Sequence, residues 1–423
     1  MTTTAPPSAS RSRWLAHPLL QVGLGALLGV LAGYYSLVFR IALGQHGNDF
    51  GKFYFATKAW AAGGSLYAPN IATRMLVGGE WREFLNMNPP HFHLLVLPLT
   101  RLDLLPAFVV WTLVNAAAGV VAVMLALREL RWPLRAAAVL PTLVLSLTGG
   151  ALNAIAATGQ VTGLLLVALT LAWRDARHER WVACGLWLGV LIGVKPFLAL
   201  FIPGLALTGR WRALVSAAAG GAGTFAVGVL TFGWPSHLEW LDSLESVSWA
   251  WSSMNASILG LAARCFSASP VFTPPVLAPS LTSVLWFVAA LPTAWLSIVI
   301  ARRSVDHLFA GATLGALLLS PLGWIYYLPL ALPSCLALWQ HRRPHAALVG
   351  LAATSVPLFV PLLWGSRGLA VAAVGSVYFW GTFALWVGVV LSRDRSRPPH
   401  GTASGSAHST VTSDVSAGWN SRS

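Results

Sequence analysis

Residues 181–208 read WVACGLWLGVLIGVKPFLALFIPGLALT, an apolar run whose one charged residue, Lys195, sits at its middle beside Pro196. Basic clusters flank it, with Arg174, Arg177 and Arg180 before it and Arg210 and Arg212 after it. Cationic loops at both ends place both ends on the same side of a membrane. Proline removes a backbone donor and clashes with the preceding turn, so the helix breaks at the middle of the run. Two halves of about 14 residues then reach only about 20 Å each at 1.5 Å per residue. The stretch therefore predicts a short membrane hairpin with Lys195 at its tip.

The rest of the chain agrees with that environment. Hydrophobic residues make up 56% of 423, charged residues 9%, and there are 21 Trp. Soluble domains carry roughly 25% charged residues, so an ordinary globular protein is excluded. Apolar runs recur near 17–38, 104–127, 134–152, 154–173, 212–232, 283–301, 305–321, 325–339, 345–364 and 369–391. The first follows Arg11 and Arg13 and exceeds the roughly 7–15 residues of a cleavable signal core, so it reads as a retained helix. Residues 91–103 are too short for a crossing and read as re-entrant. The expected fold is an all-α, polytopic transmembrane helical bundle of about 10–12 membrane segments, including re-entrant or broken helices.

The net charge of +14 is dispersed between the apolar runs, which argues against nucleic-acid binding. Further basic clusters are Arg128, Arg131 and Arg135; Arg302 and Arg303; Arg342 and Arg343; and Arg393, Arg395 and Arg397. The positive-inside rule assigns all of these to the cytoplasm. Residues 1–16 and 392–423 are then cytoplasmic ends, the latter a Ser-, Gly- and Thr-rich tail expected to be disordered. The membrane domain covers 17–391, with outer segments at 40–90 and 233–282. Gly185, Gly189 and Gly193 repeat every four positions, a spacing that lets helices approach closely.

In this arrangement unusual polar residues gather toward the outer face. Asp49 heads Asn48-Asp49-Phe50-Gly51-Lys52 and reads either as a helix cap or as a general base desolvated near the lipid surface, two compatible roles. Lys195 either snorkels or binds an anion, since a cation in an apolar run costs about 2.5–3.5 kcal/mol and usually faces a partner. His91 and His93 read as phosphate or proton contacts or as hydrogen-bonded anchors; their spacing lacks further metal ligands, and no metal is expected. Gln160, Asn255, Arg264, Trp324, Tyr326 and Tyr327 complete the set. The aromatic residues among them suit either an interfacial belt or stacking on a sugar ring. There is no Gly-rich nucleotide-binding unit, nucleophile elbow or cluster of carboxylates. An enzyme working on the outer side would need a donor already carried across, most simply on a lipid phosphate.

These residues resemble the polytopic glycosyltransferases of the GT-C superfamily, family 87. The likeness runs through Asn48-Asp49-Phe50, Gly63 to Tyr67, Asn88-Pro89-Pro90, Gly159-Gln160, Gly185 to Pro196, Asn255-Ala256-Ser257 with Arg264, and Ser320 to Trp324. It implies a fold of GT-C type and an inverting transfer of a sugar, with mannose favoured, from a polyprenyl-phosphate donor to a glycolipid, lipoglycan or cell-envelope acceptor. Asp49 is then the catalytic base. Lys195, Arg264, His91 and His93 would serve the donor phosphate, and Gln160, Asn255, Trp324, Tyr326 and Tyr327 the sugar or acceptor. No cofactor is implied beyond the lipid-linked donor. Relatives often carry histidine after the Ser-Pro…Trp motif, where this chain has Ile325-Tyr326-Tyr327, which leaves the sugar open. A transporter or lipid flippase, which also uses broken helices, is the competing class. A noncatalytic assembly subunit is a third.

Overall fold

The computed structural model describes residues 49–69, 74–77, 80–83, 86–131, 150–245, 249–339 and 345–392. The expected first helix at 17–38, most of the 134–152 run, the 341–344 loop and the tail from 393 lie outside the described residues.

Chain order begins with α1 (Asp49–Ala61) and a two-stranded antiparallel hairpin, β1 (Arg74–Val77) and β2 (Glu80–Glu83), in register from Arg74 opposite Glu83 to Val77 opposite Glu80. Short 3-10 turns at Pro90–Leu95 and Leu97–Arg101 lead into α2 (Leu104–Glu129). Then come α3 (Gly150–Thr158), α4 (Thr162–Arg177), α5 (Trp181–Val194), α6 (Phe201–Leu207), α7 (Trp211–Leu244), α8 (Ile258–Phe266) and α9 (Pro279–Val299). The chain closes with α10 (Val305–Leu319), α11 (Leu332–Trp339), α12 (His345–Thr354), α13 (Phe359–Trp364), α14 (Leu369–Ala372) and α15 (Val377–Leu391). Apart from the one hairpin, the regular structure among the described residues is helical.

Three helices, Leu104–Glu129, Trp211–Leu244 and Pro279–Arg302, are long and apolar enough to cross a membrane. They keep large apolar side chains on the outside of the fold, among them Leu113, Val120, Leu230, Leu291 and Trp295, each more than 60% exposed. An apolar surface of that extent is stable facing lipid and not water. The protein is an all-α membrane bundle.

Residues 181–208 form the anticipated hairpin. The α5 helix ends at Val194, Lys195 takes an extended conformation, and a 3-10 turn from Pro196 to Leu200 precedes α6. The return is closed by Arg210, whose guanidinium lies 4.2 Å from the Trp181 ring centre, so the two ends of the excursion meet. Helix α7 then runs parallel to α5. A side chain at Gly185 would collide with Ala213 and Ser216, one at Gly189 with Ala217, and one at Gly193 would press on Thr224. The four-residue glycine ladder is a packing device.

Several boundaries differ from the sequence reading. The 154–173 run is two helices, because Gly159 adopts φ +67° between α3 and α4. The outer segment expected from 233 begins as helix: Gly233 breaks the geometry at φ +80°, and the helix restarts with Pro235 in its first turn, where its missing N–H costs nothing. The runs at 325–339, 345–364 and 369–391 are likewise each interrupted.

At one end of the bundle Glu129 accepts from Arg174, Arg177 and His178, and Arg177 pairs with Asp306 at 2.7 Å. Arg303 donates to the carbonyls of Val390 and Ser392. The basic loops near 128, 174–180 and 302 therefore share one end with the last residues of α15.

Candidate active site

The opposite end of α5 carries Lys195, and around it four separate parts of the chain meet. Asp49 opens α1. The residue after it, Phe50, is fully buried against Phe108 and Trp111, with ring centres 5.4 and 5.7 Å away. Trp111 donates through Nε1 to the Gly159 carbonyl at 2.7 Å, and a Cβ on Gly159 would lie 2.7 Å from atoms of both Phe50 and Phe108. Only glycine serves there, because φ is positive and the space is taken. This packing sets the break after α3 directly against the start of α1, so Gln160 reaches Asp49.

The Asp49 side chain is 13% exposed and fully engaged. Gln160 Nε2 donates to one carboxylate oxygen, Lys52 Nζ lies 2.6 Å from the other, and the Tyr326 phenol also interacts with the carboxylate. The other end of the Gln160 amide, Oε1, accepts from the Tyr327 hydroxyl at 3.2 Å. Lys195 Nζ in turn lies 5.3 Å from the Tyr327 ring centre and the same distance from that of Phe92. It donates to Asn88 Oδ1 at 2.6 Å. A continuous polar and aromatic chain thus joins Asp49 to Lys195. Trp324 stacks on Tyr326 with ring centres 5.8 Å apart.

The remaining sequence candidates sit in the walls. His93 is fully buried and spends both ring nitrogens, on Thr57 Oγ1 at 2.6 Å and on the Asn86 amide at 2.7 Å. That is the hydrogen-bonded anchor reading. His91 donates through Nε2 to the Gly193 carbonyl at 2.8 Å, which fixes the backbone two residues before Lys195. Its Nδ1 is buried with no partner.

Asn255 is fully buried, with Nδ2 donating to Ala250 and Pro321 carbonyls and Oδ1 accepting from Ser257 and Gly323 amides. All its hydrogen-bonding capacity is used to fasten the 250–257 loop to the turn before Trp324. A sugar contact from this side chain has no donor or acceptor left to use. Replacing Asn255 by Ala should unfasten that turn, exposing buried amides and carbonyls at about 1–3 kcal/mol. A lowered melting temperature of the detergent-solubilised protein is the expected result; an unchanged one would place the anchoring elsewhere.

Arg264 is fully buried on α8, outside the long apolar helices, and burial pushes its pKa down to about 9. It remains charged at neutral pH. Its Nη1 donates to the carbonyls of Ser252 and Asn255 and its Nε to Ser376 Oγ, while Nη2 has no partner.

Sequence reasoning passed over three contributors. Asn88, quoted only as part of a motif, receives the Lys195 ammonium. Tyr67 donates to the Asn88 carbonyl at 2.6 Å, and burial raises its pKa far above the ordinary phenol range. Lys52 neutralises Asp49, a contact its i, i+3 spacing on a helix foreshadows.

A family model described as glycosyltransferase family 87 matches residues 84–321, more than half of the chain. The match takes in Asn88, Gln160, Lys195 and Arg264; Asp49 precedes it, and Trp324, Tyr326 and Tyr327 follow it. No curated protein and no solved structure matches.

Proposed function

The chain belongs to glycosyltransferase family 87 and is a membrane glycosyltransferase, and from that premise we propose that it moves a sugar, mannose in the favoured reading, from a polyprenyl-phosphate donor to a glycolipid, lipoglycan or cell-envelope acceptor. The transfer takes place at the outer leaflet of the cell membrane, with both chain ends in the cytoplasm. The observation that supports the proposal is the Asp49–Gln160–Tyr327–Lys195 chain of contacts, which links a carboxylate to a cation through two side chains.

In this reading the acceptor hydroxyl approaches the anomeric carbon from the Asp49 side, and its proton passes to the carboxylate as the new glycosidic bond forms. Gln160 fixes the carboxylate's orientation by holding one of its oxygens. The bond from the anomeric carbon to the phosphate oxygen breaks on the opposite side, which inverts the configuration. The negative charge gathering on the departing lipid phosphate is met by the Lys195 ammonium, with the buried Arg264 Nη2, which has no protein partner, as a further donor. His93 supports this site through Thr57 and Asn86, while His91 holds the Gly193 carbonyl through Nε2 and keeps Nδ1 without a protein partner. Trp324 and Tyr326 offer a stacked aromatic wall for a saccharide face. The broken 181–208 helix, which alone supported a transporter or flippase, is accounted for as the element that carries Lys195 to Asn88 and Tyr327.

Mass spectrometry of lipid extracts from cells with and without the protein tests the assignment. A glycolipid or lipoglycan lacking one hexose in the deletion is expected. A missing pentose would replace mannose with another sugar, and identical extracts under producing conditions would overturn the donor and acceptor classes together.

A further inference from the structure

The end of α5 remote from Lys195 carries a second site. About 14 residues at 1.5 Å per residue separate the two by roughly 20 Å. There an open cavity of about 400 Å³ is lined by Glu179, Arg180, Trp181, Val182, Leu186 and Arg212. Two helix starts meet at it, since α5 follows Arg180 and α7 follows Arg210. Neither has a side-chain cap or an acidic residue in its first turn, so both helix ends present free backbone amides there beside the arginines.

The arginines are poised for one. The Arg180 side chain is 70% exposed, and its nearest acid, Asp175, is 3.8 Å away. The Arg210 guanidinium lies over the Trp181 ring, 4.2 Å from its centre, and adds a third cation beside the two that line the cavity. Trp181 Nε1 is buried without a hydrogen-bond partner. The one carboxylate on the wall is Glu179, held at φ +60° in the turn between α4 and α5.

What adjoins the cavity identifies the anion's carrier. Val182, Leu186, Trp211 and Val215 extend from it along α5 and α7, between 44% and 70% exposed. A free phosphate has no use for that surface, whereas the acyl chains of a lipid do. We propose that this cavity holds the phosphate headgroup of an anionic phospholipid, with Arg180 and Arg212 on the phosphate and the lipid tails along the Val182–Val215 face.

Native mass spectrometry of the full-length protein in detergent, titrated with phosphatidylglycerol and with phosphatidylcholine of the same acyl chains, tests this. One phosphatidylglycerol should bind in clear preference to phosphatidylcholine. Arg180→Gln with Arg212→Gln should weaken that binding about 30-fold. Glu179→Gln, which removes the opposing charge, should tighten it about fivefold, a gain that misfolding cannot mimic. Equal retention of both lipids, or a double variant that keeps the preference while Glu179→Gln changes nothing, would overturn the site. Displacement of the lipid by millimolar inorganic phosphate would overturn the lipid assignment.

Discussion

Asp49→Asn should yield a protein that folds like the parent, with a lowered melting temperature, yet transfers sugar roughly 10²–10⁴-fold more slowly, the range set by removing a positioned proton acceptor. Folding should survive because the amide is close in size to the carboxylate and its oxygen can still accept from Gln160. The Lys52 pair is lost, and because its side chains are only 16% and 13% exposed, that loss lowers stability. The chemistry should not survive, since a neutral amide cannot take the acceptor proton. The decisive measurement is single-turnover transfer from a purified polyprenyl-phosphate-sugar donor, alongside the melting curve. Turnover within a few-fold of the parent would remove Asp49 from the role of base and make its contacts with Gln160 and Tyr326 purely architectural.

Lys195→Met should be the next most damaging change. The methionine fills nearly the same volume and leaves the Phe92 and Tyr327 rings packed, while the cation that faces the departing phosphate disappears. Loss of one such electrostatic partner costs about 10²–10³ in rate. Because the same charge attracts the donor before reaction, the donor KM should rise while that of the acceptor holds steady. That split separates a phosphate role from a structural one, which would lower stability without favouring one substrate. Equal changes in both KM values, or none, would move the phosphate to the unpaired Nη2 of Arg264.

The two residues these experiments probe were both legible in the sequence, for a common reason. A lone carboxylate and a lone ammonium are conspicuous in a chain with 9% charged residues, and the lipid environment makes each costly unless used. The helix break at Lys195-Pro196 was legible because proline's missing donor is a local, covalent fact. So was the glycine ladder, whose four-residue period places Gly185, Gly189 and Gly193 on one helix face.

The roles of the neutral polar residues were not legible. Asn255 and His93 look like ligand contacts in a list of unusual residues, yet every hydrogen-bonding group on them is consumed inside the fold. Asn88 looks like part of a turn and proves to be the partner of Lys195. A neutral amide or imidazole carries no charge to betray its burden, and its partners here lie from 2 to more than 100 residues away in the chain.

The sequence by itself determined the membrane class, the all-helical bundle, the hairpin at 181–208 and the choice of Asp49 and Lys195 as candidate charges. Each follows from hydropathy, proline geometry or the cost of an ion in lipid, properties of a residue and its immediate neighbours. Only the tertiary structure decided that Gln160 and Tyr327 link those charges, that Asn255 and His93 belong to the frame, and that Arg180 and Arg212 share a cavity. Hydrogen-bond capacity is exhausted or left open according to which distant segments pack together, and a linear chain does not encode that until it folds.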